Sequence, residues 1–375
     1  MERISHSVQT ATKPHYALLD GLRGVAALAV LCYHFFEGFA TSPIDQRFNH
    51  GYLAVDFFFI LSGFVIGYAY DDRWKTMKVK DFFKRRLIRL HPMVILGAVL
   101  GTITFLIQGS VQWDGTAVPF TSVILSFLLA ILMLPAIPGT APEIRGNGEM
   151  FPLNGPSWSL FFEYIGNIMY AIFLHRLSDK WLKVFVGVCG ASLAAFAIFN
   201  GSGCWNIGVG WTLADHNFIG GFLRMSFSFS AGLLISRNFR PMKIKGAFWI
   251  CSALLIALLA VPHLGTESAP WLNGIYDSFC TLAAFPFIVW MGASGVASHK
   301  ASAGICKFLG DISYPVYLVH YPFMYLFYSW VWNNGISIGQ AIPVGIGVCT
   351  GCILLAWVVM KFYDTPVRRW LSSKF

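Results

Sequence analysis

The sequence predicts an all-α fold, a polytopic transmembrane helical bundle, and three observations carry that reading. Charged residues make up 12% of the 375 positions and mean hydropathy is +0.61, whereas soluble domains carry about 25% charge. Apolar runs of membrane-spanning length recur along the whole chain. Basic residues gather in clusters between those runs, which accounts for the net charge of +9 without any nucleic-acid partner.

Taken in order, residues 1–16 lack an apolar core and a small-residue cleavage site, so they read as a short cytoplasmic tail rather than a signal peptide. The membrane domain runs over 17–368, and 369–375 is a cytoplasmic C-terminal tail. Within it, apolar segments fall near 17–39, 52–70, 87–108, 120–137, 156–175, 182–200, 217–236, 246–262, 274–296, 311–332 and 338–362. No stretch is polar and long enough for a separate soluble domain.

The basic residues set the orientation. Arg23 and Arg224 lie inside segments. The others cluster at 3–13, 71–91, 176–183, 237–245, 300–307 and 361–374, with only Arg47 and Arg145 elsewhere. Positive-inside logic makes these clusters and both termini cytoplasmic, which requires an even number of crossings. Segment 120–137 is the weakest, bracketed by Pro119, Pro135, Pro138 and Pro142. The expectation is therefore about ten crossings, with 120–137 re-entrant or lying at the outer interface. The alternative is that 120–137 crosses and the basic residues near 180 mislead. There is no internal repeat.

Arg23 and His34 are eleven positions apart on the first segment, with only apolar and small residues between. That interval is about 20° past three turns, so both side chains share one face, ~16 Å apart. An Arg in a span costs roughly 2.5–3.5 kcal/mol, so it faces a partner or a watery cavity. The bland counterpart is a snorkelling Arg and a satisfied buried His. With the orientation above, Asp56 lies at the outer start of the second segment and Glu163 about 10 Å below the outer end of the fifth. Arg224 and Asp277 are also in outer halves, Arg86 and Arg89 share a helix face at the cytoplasmic mouth, and His320 is near mid-membrane.

Left uncompensated, such charges would cost ~10 kcal/mol together, so they are paired or solvated in a shared polar interior. Structural readings exist for each: ion pairs for Asp56, Glu163 and Arg224, lipid phosphate for Arg86 and Arg89, a backbone cap for His320. Guanidiniums inside and an imidazole with carboxylates outside suit a long anionic donor entering from the cytoplasm. Glu163 and His34 come to similar depths, so the carboxylate is expected to hold the imidazole; an ion pair with Arg224 is the alternative. The eight cysteines read as small core residues. Cys349 and Cys352 have metal spacing but no His or carboxylate neighbours, and no metal is expected.

These motifs resemble acyltransferase family 3, the integral-membrane O-acyltransferases that modify bacterial surface glycans. Leu19-Asp20-Gly21-Leu22-Arg23-Gly24 with His34 is similar to its Arg-x10-His signature. Val55-Asp56-Phe57-Phe58-Phe59-Ile60-Leu61-Ser62-Gly63-Phe64 resembles its second-helix motif, and Arg85-Arg86-Leu87-Ile88-Arg89-Leu90-His91-Pro92 its Arg-x-x-Arg motif. Trp158-Ser159-Leu160 with Glu163, the run Ser313-Tyr314-Pro315-Val316-Tyr317-Leu318-Val319-His320, and Asp364-Thr365-Pro366 before Arg368 complete the set. The departures are His91, where an apolar residue is usual, and Asp364, where Glu is common.

The resemblance implies transfer of an acyl group, most often acetyl, from cytoplasmic acyl-CoA to a hydroxyl of a glycan or lipid-linked sugar at the bacterial inner membrane. Acyl-CoA, acetyl-CoA above all, is then a donor substrate and not a resident cofactor. His34 is implied as general base or transient acyl acceptor. Arg23, Arg86 and Arg89 would take the donor's phosphates. Glu163 and Asp56 would orient His34 or the acceptor, and His320 would polarise the thioester or position a substrate. Membrane lipid is the remaining partner, and the oligomeric state is left open. The rival class is a transporter or flippase for a lipid-linked sugar, which needs neither acyl-CoA nor a base. A Ser62–His320 hydrolase is a remote option because Ser62 lacks the Gly-x-Ser context.

Overall fold

The computed structural model describes residues 15–214, 216–296 and 300–375; most of the expected N-terminal tail lies outside them. Chain order runs α1 (Ala17–Glu37), α2 (Ala54–Tyr70), α3 (Val79–Ile107), α4 (Phe120–Ile131), α5 (Ser157–Ile172), α6 (Asp179–Ile198), α7 (Asn217–Asn238), α8 (Ala247–Ala260), α9 (Trp271–Phe279), α10 (Phe285–Ala293), α11 (Lys300–Asn333), α12 (Ile338–Val359) and α13 (Thr365–Lys374). Wide π turns at Cys280–Ala284 and Met360–Asp364 join α9 to α10 and α12 to α13 without a break. The expected tail after 368 is thus largely helical. The sheet content among the described residues is a parallel pair, β1 (Ile244–Lys245) with β2 (Gly295–Val296).

Among the described residues, seven helical stretches are long and apolar enough to cross a membrane, 17–37, 79–107 and 217–238 among them. The other expected segments differ for physical reasons. The helices α4, α5 and α8 are short, and α11 carries five tyrosines and His320 because much of it is buried inside the bundle.

Two parallel helix pairs organise the bundle. In the first, α1 packs on α11: a Cβ at Gly21 would press on Cys306 at one end and a Cβ at Gly38 on Tyr328 at the other. At Gly24 the Leu309 backbone comes so close that only a hydrogen fits. In the second, α2 packs on α7, and Gly63 lies directly against the Phe229 carbonyl. The helix α3 packs on α11, α12 flanks α11, and α6 lies on α7.

The basic loops share one end. Arg237 in the last turn of α7 reaches Asp71 at 2.6 Å and Asp179 at 3.9 Å, tying together three of the clusters; Lys84 of α3 reaches the backbone of Phe375. The opposite end is built from long loops. There α4 starts beside the end of α3, through a Val118 N–H to Ser110 O bond of 2.9 Å, and spans only about 18 Å of a ~30 Å core. The chain then returns to the same end, where Trp113 N–H donates to Arg145 O at 3.2 Å.

Candidate active site

Between the first turns of α1, the length of α2 from Val55 to Tyr68, the start of α3, the first half of α5 and the middle of α11 lies a cavity of about 300 Å³. Its guanidiniums come from Arg23, Arg86 and Arg89, which the sequence motifs singled out and the fold brings together. Each is held differently. Arg23 donates from Nε to Ser313 Oγ at 2.9 Å and pairs with Asp20 at 3.1 Å. Arg86 pairs with Glu163 at 2.7 Å and donates from Nε to Asn167 at 2.8 Å. Arg89 lies over the Tyr314 ring, 5.9 Å from its centre, and keeps its planar fork for a bidentate anion.

Glu163 therefore sits among the guanidiniums. It accepts from Ser62 Oγ at 2.9 Å as well as from Arg86, which places Ser62 away from His320 as a nucleophile pair. The expected Glu163–His34 contact is not formed. The reason is that α5 starts deep. The chain before it dips into the bundle, where Asn154 donates to Leu318 O at 2.9 Å and Gly155 N–H to Tyr325 Oη at 3.1 Å. Counting depth from the membrane surface thus leaves Glu163 too far out.

The carboxylate that does hold His34 is Glu37, one turn on. His34 Nδ1 lies 2.7 Å from Glu37 Oε2. A carboxylate only accepts, so Nδ1 carries the proton, and in the neutral imidazole it is Nε2 that offers the lone pair. Tyr328 and Tyr321 donate to the same Glu37 oxygen at 2.9 and 3.4 Å, and Tyr328 also caps the His34 carbonyl at 2.5 Å. The sequence carries a signal for Glu37, an i,i+3 His–Glu spacing at the end of an apolar segment.

His320 stacks on His34, with ring centres 5.3 Å apart and 30° between planes. Its Nδ1 donates to Val316 O at 2.9 Å, and its buried Nε2 has no hydrogen-bond partner. Two imidazoles thus lie together with the same tautomer. One layer separates them from the cavity: Tyr317, on the cavity wall and bonded to Ser159 at 2.6 Å, has its ring 6.1 Å from His320. Along α11 the ladder runs from Ser313 beside Arg23 to Tyr328 beside Glu37, about 22 Å.

Asp56 is elsewhere. Arg224 grips it with Nε at 3.1 Å and Nη2 at 2.7 Å, then spends its remaining donors on Gly208 O at 2.7 Å and Tyr52 O at 2.8 Å. Both side chains are wholly buried. Asp56 and Arg224 form the structural ion pair expected for one of the carboxylates, with Asp56 in place of Glu163. Nearby, Tyr52 donates to Asp277 at 2.5 Å and His50 packs against the same carboxylate.

An acyltransferase-domain family model, that of acyltransferase family 3, matches residues 16–361. "Protein 2 in picA locus" of Rhizobium radiobacter is 34% identical over 193 residues, covering 48% of this chain and 94% of that protein. "Acyltransferase MdmB" of Streptomyces mycarofaciens is 28% identical over 327 residues, 81% of this chain and 77% of that one. "Putative O-acetyltransferase SACOL0978" of Staphylococcus aureus (strain COL) is 41% identical over 95 residues, 24% of this chain and only 14% of that protein. No solved structure matches the chain.

Proposed function

The chain belongs to acyltransferase family 3 and is a multi-pass membrane acyltransferase; from that premise we propose that it moves an acyl group, acetyl above all, from cytoplasmic acyl-CoA to a hydroxyl of a glycan or lipid-linked sugar at a bacterial inner membrane. The observation that carries the reading is the placement on α1 of Arg23 in a three-guanidinium cavity and of His34, three turns away, oriented by Glu37. Phosphates of the donor lie on Arg23, Arg86 and Arg89, and the pantetheine arm covers the ~16 Å to His34. The thioester then meets the imidazoles once the Tyr317 layer opens.

In the direct route His34 Nε2 takes the proton of the acceptor hydroxyl as its oxygen attacks the thioester carbonyl. The C–S bond breaks, and the departing thiolate takes that proton from the imidazolium. In the relay route His34 Nε2 attacks the thioester carbonyl and is acylated as the C–S bond breaks and the thiolate leaves; the acceptor hydroxyl oxygen then attacks the acyl carbon, the N–C bond breaks to restore the Nε2 lone pair, and the hydroxyl proton goes to the thiolate. His320, with a free Nε2, positions the acyl group from the neighbouring ring. The decisive experiment mixes the full chain in nanodiscs with acetyl-CoA and an extract of surface glycan, reading thiol release and ester formation. A transporter gives neither.

Two further outcomes check the arrangement. Arg89→Ala weakens binding of coenzyme A more than Arg89→Lys does, because Lys keeps the charge and loses the fork. Equal, unchanged affinities would assign the pair to lipid phosphate. For topology, a reporter at Phe375 reads cytoplasmic and one at Gly146 extracytoplasmic, giving ten crossings with α4 re-entrant. A cytoplasmic signal at Gly146 would make α4 a crossing.

A further inference from the structure

A second concavity, about 500 Å³, opens at the end of the bundle away from the guanidiniums. Three loops that the donor cavity does not use build it: Gln112 follows α3, Glu143 and Asn147 follow α4, and Trp211 and Thr212 precede α7. An antiparallel bridge between Glu149 and Thr212 and a bond of 2.9 Å from Met150 N–H to Trp211 O clamp two of these loops together. Gly146 and Gly148 have φ of 76° and 82°, and a Cβ on either would press on Gln112 or Thr212. Glycine thus both permits the turns and keeps the floor open.

The lining has a distinct chemistry. Three side-chain amides, of Gln112, Asn147 and Asn217, and two hydroxyls, of Thr140 and Thr212, can donate and accept, as sugar hydroxyls do. Trp211 adds a flat apolar surface with a polar edge. Glu143, the carboxylate in the wall, already accepts from the backbone of Arg145 at 3.2 Å and of Gly146 at 2.9 Å, and no Lys or Arg is among the lining residues. A neutral polyol fits this better than an anion or an acyl chain.

The groove is also joined to the imidazoles. Trp113, next to Gln112, packs on Trp332 with centres 4.9 Å apart, and Trp332 donates to Gly38 O at 2.8 Å, one residue from Glu37. From the other wall Glu149 accepts from Tyr325, whose ring is 4.6 Å from Tyr321, itself 4.6 Å from His34. The walls of the groove therefore rest on the residues that hold the His34–Glu37 pair.

We propose that this groove binds the carbohydrate part of the acceptor, through Gln112, Asn147 and Thr212 to sugar hydroxyls and the face of Trp211 to a pyranose ring. The proposal rests on the acyltransferase reading. Its test uses a strain lacking the gene, complemented with the wild-type chain or with Asn147→Ala, Trp211→Ala or Trp211→Phe. Alkali-released acyl ester is measured separately in lipid-linked precursor and finished polysaccharide, which distinguishes the two sources of sugar. Coenzyme A affinity and detergent melting temperature are measured on the purified proteins. Asn147→Ala and Trp211→Ala should lower acyl ester about tenfold, the effect of one or two lost contacts, with melting and coenzyme A affinity unchanged and Trp211→Phe near wild type. Wild-type ester levels in both alanine variants, or ester loss matched by a fall in melting temperature in all three, would overturn the groove assignment. Absence of ester in the wild-type complement would instead overturn the acyltransferase reading beneath it.

Discussion

His34→Ala should lower acyl transfer by roughly 10²–10⁴-fold, the range for removing a general acid–base group, and should abolish it if the acyl relay operates. Coenzyme A affinity should hold, because His34 is not among the residues lining the guanidinium cavity: Arg23 lies three turns away on α1, and Arg86 and Arg89 are on α3. Glu37→Gln is the companion measurement. It keeps the shape of the side chain and its contacts with Tyr328 and Tyr321, but removes the charge facing Nδ1. Turnover should fall with donor affinity unchanged. Glu163→Gln should do the reverse, altering donor affinity through Arg86, since no contact joins it to His34 among the described residues. Transfer at the wild-type rate in His34→Ala would remove the imidazole from the mechanism. A turnover loss in Glu163→Gln without any change in affinity would return that carboxylate to it.

Arg224→Met should destabilise the protein by about 3–5 kcal/mol, because it strands the Asp56 carboxylate in the interior with no counter-charge. Detergent melting temperature and membrane yield should both drop. The double variant Asp56→Leu/Arg224→Met should recover much of that loss, since a buried pair exchanged for apolar side chains is often close to neutral. These outcomes make Asp56 a structural residue that ties α2 to α7 and to the loop at Gly208. A double variant that melts like the wild type but transfers no acyl group would place Asp56 in the chemistry after all.

Much of the protein was legible before any coordinates. Arg23, Arg86 and Arg89 occur at helical spacings and at the basic end of the chain, and they meet in one cavity. Arg23 and His34 are where 3.6-residue periodicity on α1 puts them. Proline around 120–137 marked a segment whose helix, α4, is only twelve residues long. Two things misled. Depth counted from the ends of apolar runs assumes that a helix begins at the membrane surface, and α5 begins where Asn154 meets Leu318. A search for the partner of His34 among distant carboxylates passed over Glu37, three residues away.

What the sequence determined by itself is what periodicity and the cost of charge in hydrocarbon dictate: a mostly helical membrane protein, its basic loops, and a polar interior in which charges are paired or solvated. What the tertiary structure alone decided is who pairs with whom. Glu163 takes Arg86 and Asp56 takes Arg224, because these choices depend on how deeply the chain before α5 dips and on the close approach of α2 to α7, while Tyr321 and Tyr328 of α11 close on the local His34–Glu37 pair. The second groove belongs to the same class. Gln112, Asn147 and Trp211 are unremarkable loop residues in sequence, and only the return of the chain after α4 brings them to one surface.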